Sequence, residues 1–439
     1  FVADRLNHVI RKITPAGLVT TIAGTGAPGY VNGTGTSAAF NYPSSVAVDA
    51  SGNLYVADYY NHRIRKITAS GVVTTLAGSG SISFADGTGE AAAFSYPISV
   101  AVDASENVYV GDSYNHRVRK ITSDGIVTTL AGSGIQDYVD GIGTSAAFNF
   151  PYGVAVDTDG NVYVADVSNQ RIRKITADGA VTTLAGSGNS GFADGTGIAA
   201  SFSNAAGLAT DASGNVYVAD YLNHRIRKIT ASGVVTTLAG TGTAGNDNGI
   251  ANTASFRNPY GVAVDAIGNI YAADFSNHLI RKITICYTPS TPTITGNPEI
   301  CFGGSTVLTS SSATGNLWNT GETTQSITVS TAGEYTVQVI DNVCTSAISE
   351  PLEIIVNSLP QASTITGNTT INVGGITVLT SSVADGNLWS NGATTQSITV
   401  STTGTFSVKV ISGTCTSATS NIIVVDMNVL DYTVSTLAG

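Results

Sequence analysis

Straight-chain helix formers are almost missing from this 439-residue chain, which holds seven Lys, seven Glu and a single Met. Without them a predominantly helical protein is excluded. Charged residues make up only 11% of the sequence, against roughly 25% in an average soluble domain. No apolar run approaches the ~20 residues of a membrane-spanning helix, so insertion by such a segment is excluded. Phosphate-binding and hydrolase motifs (a P-loop, GxSxG, HExxH) are missing as well. Cysteine is scarce, and Cys286, Cys301, Cys344 and Cys415 all lie after residue 285, which fits an oxidising compartment with few staples. The chain opens at Phe1 with no visible sorting signal, and reads as a piece of something longer.

What is present favours strands and tight turns. Val, Ile, Thr, Ser and Tyr dominate beside 49 Gly, so the fold class is all-β. The net charge of −11 is unevenly shared. Residues 1–288 hold 18 of the 19 basic side chains against 21 acids, while residues 289–439 hold only Lys409 against nine acids. Long-range electrostatics therefore disfavour nucleic acid as a partner.

One repeat organises the first two thirds of the sequence. FVADRLNHVIRKI at Phe1 returns as YVADYYNHRIRKI, YVGDSYNHRVRKI, YVADVSNQRIRKI, YVADYLNHRIRKI and YAADFSNHLIRKI, with its Asn at 7, 61, 115, 169, 223 and 277. Every interval is 54 residues, the mark of one supersecondary unit repeated about an axis. Four strand-like runs fill each unit, in the second copy at 46–50, 54–58, 63–68 and 72–77. Four antiparallel strands per unit describe a propeller blade, and six units fall within the usual range.

The Asn277-His278-Leu279 motif, preceded by GVAVDxxGNxYxAD, resembles the NHL repeat, and residues 1–285 resemble a six-bladed NHL β-propeller. The first blade would lack its inner strand and the last its outer strand. The resemblance implies a binding module for proteins, or in some relatives RNA or extracellular ligands. A few relatives are enzymes with a metal in the central channel. Residues 289–426 carry a second period of 71, aligning Cys301, Trp318, Tyr335 and Cys344 with Asn372, Trp389, Phe406 and Cys415. These two copies, at 289–356 and 357–426, resemble the Ig-like or PKD-like modules of secreted Bacteroidota proteins. That resemblance implies tandem β-sandwiches and a Cys301–Cys344 disulfide, with the partners of Cys286 and Cys415 left open. Residues 427–439 form a linker ending in TVSTLAG, a copy of the repeat's outer strand. It is expected to open a further propeller in a longer tandem protein, the rival being that it folds back to close this one.

Candidate chemistry is sparse. His8, His62, His116, His224 and His278, with Gln170 in the sixth place, share one repeat position and are expected to pack between blades, because six-fold placement keeps metal ligands apart. Asp157-Thr158-Asp159-Gly160-Asn161 opens like a calcium loop, but no Glu follows at the twelfth position and a hairpin turn is the better reading. No metal and no cofactor are expected. The positions before each Asn differ more among the blades. They are Arg5-Leu6, Tyr59-Tyr60, Ser113-Tyr114, Val167-Ser168, Tyr221-Leu222 and Phe275-Ser276. They are expected to share one face with the loops between blades, which contain Phe84 and Phe94. Tyr59, Tyr60, Tyr114, Tyr221 and Phe275 are thus the candidate binding face, since aromatic rings give large contact area at low entropic cost.

These readings combine into a non-catalytic, extracellular or cell-surface adhesion module. The propeller is its protein- or glycan-binding head and the Ig-like pair its spacer, similar to cargo of type IX secretion. The alternatives are a lyase- or lactonase-like propeller enzyme with a channel metal, and a structural filament or matrix module.

Overall fold

The computed structural model describes residues 1–284, 288–341, 344–429 and 432–435. The chain divides into two compact units, Phe1–Ile285 and Cys286–Gly439. Both are all-β, with only three-residue 3-10 turns for helix, and among the described residues no helix is long and apolar enough to cross a membrane.

Six antiparallel sheets follow one another in the first unit. In the second sheet the strands run Pro43–Val48, Leu54–Asp58, Arg63–Ile67 and Val72–Ala77 from inside outwards, with a two-residue strand Gly33–Thr34 added at the outer edge. The expected inner strand begins three residues earlier than the apolar pattern indicated. Proline is tolerated there because it occupies the first position of the strand, where no ladder donor is needed. The first sheet has three strands and ends on Val19–Ala23, and the sixth has three and ends on Leu279–Ile283. In the four full blades the first apolar residue of that third strand is buried, as at Ile64, Val118, Ile172 and Ile226, whereas Ile280 is 40% exposed.

The core lies between blades. One cluster joins Tyr55, Ala57 and Ile64 of the second blade to Val100, Val108 and Val110 of the third, with Phe94 of the connecting loop at its centre. Phe40, Phe94, Phe148, Phe202 and Phe256 are all buried, each contributing on the order of 2–3 kcal/mol by burial. Five inner strands line one narrow channel with a cavity of about 120 Å³. A Cβ added to Gly207 would stand 2.6 Å from the Tyr260 carbonyl oxygen. In the second and third blades serine takes this place, and Ser45 and Ser99 Oγ each accept a backbone N–H from the next inner strand at 3.2 Å.

Two β modules with the same strand plan, offset by 71 residues, fill the second unit. Each has three three-stranded sheets around a tryptophan, Trp318 or Trp389, whose indole N–H donates to the Thr324 or Thr395 carbonyl at 2.9 and 2.8 Å. The expected Cys301–Cys344 disulfide is wrong: Cys301 is bonded to Cys415 of the following module. Cys301 ends the strand Glu299–Cys301, which runs parallel to the module's last strand and pairs with its final residue, Asn357. Cys344 lies on a hairpin opposite Asp341, which lines one cavity with Thr288, Pro289 and Ser290, where the module begins. The two sulfurs of one module therefore sit at opposite ends. The far end of the first module instead meets the near end of the second, where Cys415 occupies the equivalent hairpin. Cys344 is itself disulfide-bonded; Cys286 lies outside the described residues. The TVSTLAG segment also falls largely outside them.

Candidate aromatic face at the channel mouth

A conserved local construction within the repeat builds the face. In the second blade Asp58, at the end of the second strand, is buried, and its Oδ1 accepts the Asn41 N–H of the incoming loop at 2.7 Å. Its Oδ2 accepts Asn61 Nδ2 and Arg65 Nη1, both at 2.8 Å. The 3-10 turn Tyr59–Asn61 is thereby fixed to loop and sheet at once. In the third blade burial raises the equivalent Asp112 carboxyl to about 6, even though Arg119 pulls it down. It is still ionised at neutral pH, and pairs with Arg119 at 2.8 Å.

Four of the five turn histidines join neighbouring blades, whereas His278 of the last blade is exposed. His62 adopts a left-handed backbone conformation, and its Nδ1 accepts the Tyr96 N–H at 3.2 Å. His8, His116 and His224 accept from Tyr42, Phe150 and Asn258 in the same way, at 3.0 to 3.2 Å. Gln170 substitutes through Oε1, which accepts the Asn204 N–H at 2.8 Å. Burial, and after it the adjacent Arg63, Arg117 or Arg225, pushes His62, His116 and His224 below their ordinary 6.5. A neutral ring keeps Nδ1 free to accept. The stability these groups supply is complete above pH 6.5 and is lost as pH falls through their lowered folded values. His116→Ala is expected to cost about 1–2 kcal/mol and His116→Gln about half as much or less. Denaturant melts at pH 7.5 check this, and equal losses for the two variants would show that the acceptor does not matter.

The DTDGN stretch is a hairpin turn. Asp157 Oδ1 accepts the Asp159 and Asn161 N–H groups, and Oδ2 accepts Asn161 Nδ2 and the Tyr163 hydroxyl, at 2.8 to 3.0 Å. Its lone pairs are occupied by the turn and the following strand. Phe84, in a loop expected to ring the face, lies 3.9 Å over the Arg117 guanidinium and 4.7 Å over that of Arg119. It covers a structural cation.

On the face itself the rings form a continuous arc. Tyr42 packs edge-on to Tyr60 at 4.8 Å, Tyr60 to Tyr59 at 4.9 Å, Tyr96 against Tyr59 and Tyr114 at 5.1 and 4.7 Å, and Tyr114 edge-on to Phe150 at 5.1 Å. A second group joins Tyr260 to Tyr152, Tyr221 and Phe275 at 6.4, 6.1 and 5.6 Å. Of the residues expected from the sequence, Tyr60, Tyr114 and Phe275 are exposed at 45%, 49% and 37%, and Tyr221 is half-buried. Tyr59 corrects the expectation: only 8% exposed, it lies beneath Tyr60 and Tyr96 as floor.

Five further aromatic residues escaped the sequence reading. Tyr152 and Tyr260 stand at the bulged start of their inner strands, where the repeat reads Ser44, Ile98, Tyr152, Ala206 and Tyr260. That variability within an otherwise constant strand was the available signal. Tyr42, Tyr96 and Phe150 have φ of 54°, 52° and 54°, and the equivalent residues of the next two blades are Asn204 and Asn258. Asparagine tolerates this conformation, whereas an aromatic residue there costs roughly 1–2 kcal/mol. Three blades thus carry strained aromatic residues where a cheaper residue serves their neighbours, the kind of local strain that gathers at functional sites.

Repeated antiparallel blades around one channel, each turned at an Asn-His or Asn-Gln pair, define an NHL-repeat β-propeller. The NHL repeat matches residues 40–67, 94–121, 148–175 and 202–229. The chain is similar to NHL repeat-containing protein 2 of Bos taurus, at 30% identity over 324 residues, covering 65% of this chain and 44% of that protein. It spans less than half the length of the first curated relatives it matches. Among solved structures, an auxiliary nutrient binding protein from Bacteroides ovatus aligns with a TM-score of 0.48 at 17% identity, over 64% of each chain. A streptogramin B lyase aligns with a TM-score of 0.37 at 12% identity, over 72% of this chain and 87% of the other.

Proposed function

We propose that the propeller is a non-catalytic binding head whose ligand, a glycan or a protein, rests on the aromatic arc from Tyr42 to Phe150. One observation carries this reading: aromatic residues hold a strained backbone position in three successive blades, where the next two blades use asparagine. Those rings also pack edge-on against the turn histidines His8, His62 and His116 at 4.5 to 4.8 Å, while the next two blades make the same joint with asparagine. The inner strands support a non-catalytic role, because the channel lining consists of serine, glycine, tyrosine and aliphatic residues, none of them a strong acid, base or nucleophile pair. An extracellular or surface location is supported by the Cys301–Cys415 disulfide, since such bonds persist in oxidising compartments. The two tryptophan-centred modules serve in this reading as Ig-like spacers in a longer surface protein.

The test is a glycan array and a surface-protein screen with the whole chain, followed by Tyr60→Ala/Tyr114→Ala. Truncating two half-exposed rings of a binding centre is expected to weaken affinity by about tenfold or more. Unchanged binding would move the ligand to another face.

A further inference from the structure

The aromatic face carries a cation at Arg5. Arg5 opens the first 3-10 turn, at the position filled in the other blades by Tyr59, Ser113, Val167, Tyr221 and Phe275. Its guanidinium lies 4.8 Å over the Tyr59 ring. Burial raises the hydroxyls of Tyr59, Tyr152 and Tyr260, which come from three different blades, and the Arg5 charge pulls each back, at Tyr260 with a hydrogen bond as well. Arg5 thus stands where the blades converge at the channel mouth.

Nearby carboxylates are all engaged elsewhere. Asp4, its neighbour, accepts Asn7 Nδ2 at 2.9 Å and pairs with Arg11 at 3.2 Å. Asp58, Asp112, Asp166, Asp220 and Asp274 are buried beneath the face, each paired with the arginine of its own blade. Among the described residues no ion pair includes Arg5. A guanidinium held over an aromatic ring, beside a tyrosine hydroxyl and without a carboxylate partner, can receive a planar anion bidentately.

The geometry points to an acidic saccharide, a glycan bearing hexuronate carboxylates, as the ligand of this face; this rests on the binding-head reading above. The carboxylate would seat on Arg5 with the tyrosine hydroxyls beside it, while the apolar faces of the sugar rings lie against Tyr60 and Tyr114. A peptide C-terminus offers the same carboxylate, but its side chains require pockets. The channel below the mouth holds only about 120 Å³, and Gly207 packs directly on the next inner strand. Flat, half-exposed rings around one cation suit rings better than side chains.

The experiment titrates the whole chain with oligosaccharides of galacturonate, glucuronate and mannuronate, each beside its neutral methyl ester. The acid form is expected to bind at least about tenfold more tightly than the ester, the usual worth of a charged hydrogen bond. Arg5→Gln should erase that preference while leaving ester binding in place. Equal binding of acid and ester, or an acid preference that survives Arg5→Gln, overturns the inference and leaves the binding-head reading standing. If no uronate binds but a peptide does, and its binding needs Tyr60 and Tyr114, the saccharide is wrong and the face is right. Uronate binding insensitive to Arg5, Tyr60 and Tyr114 would end both.

Discussion

Replacing Asp112 with alanine is expected to destabilise the propeller by about 3–5 kcal/mol, the usual cost of leaving one member of a buried ion pair alone. Asp112 and Arg119 are both fully buried. The carboxylate also accepts the Ser95 N–H and Asn115 Nδ2, each at 2.8 Å, so the variant strands two donors and a guanidinium whose Nε already lacks an acceptor. The exposed Asp86 at the rim, which bonds Arg119 from the other side, is half in solvent and cannot replace the lost charge. Denaturant unfolding of Asp112→Ala beside Asp124→Ala, an exposed control, measures the difference. A loss below about 1 kcal/mol would mean that the pair contributes little over its own desolvation cost.

Breaking the Cys301–Cys415 bond should be the other large effect. The bond spans 114 residues, and a closed loop of that size is worth about 2–4 kcal/mol in practice. Cys415→Ser is therefore expected to lower the unfolding midpoint of the second unit as a whole, because each module holds one end of the staple. The melting of the propeller should not change. Peptide mapping without reduction gives an independent check: a linked fragment containing Cys301 and Cys344 would refute the bond described here.

The repeat made the blades legible because one short motif, from the YVAD strand to the IRKI strand, places two strands, a buried Asp–Arg pair and a left-handed turn in fixed order. The place of four histidines between blades could also be read, since a residue repeated once per blade meets the same neighbouring loop each time. Two things were hidden. Tyr42, Tyr96 and Phe150 follow the loop residues whose role in packing was plain, yet only a backbone turned left-handed lifts their rings to the face. The disulfide was hidden by the direction of the chain. Aligning Cys301 with Asn372 and Cys344 with Cys415 suggested a bond within one copy, whereas strand order puts those positions at opposite ends of a module. Local pattern reports which residues recur, and it does not report which end of an element they occupy.

The histidine joints make the 54-residue unit an interchangeable part. At the five seams from the first blade to the sixth, one blade leaves an acceptor and the next presents a backbone donor, so successive copies fit without new chemistry at the seam. Gln170 and Asn204 have rewritten one joint and kept it. Duplication of a unit would therefore yield a chain whose joints already match. At the axis the inner strands approach closely, as at Gly207 against Tyr260. The binding face, which depends on residues that differ from blade to blade, would be free to diverge while the frame is copied.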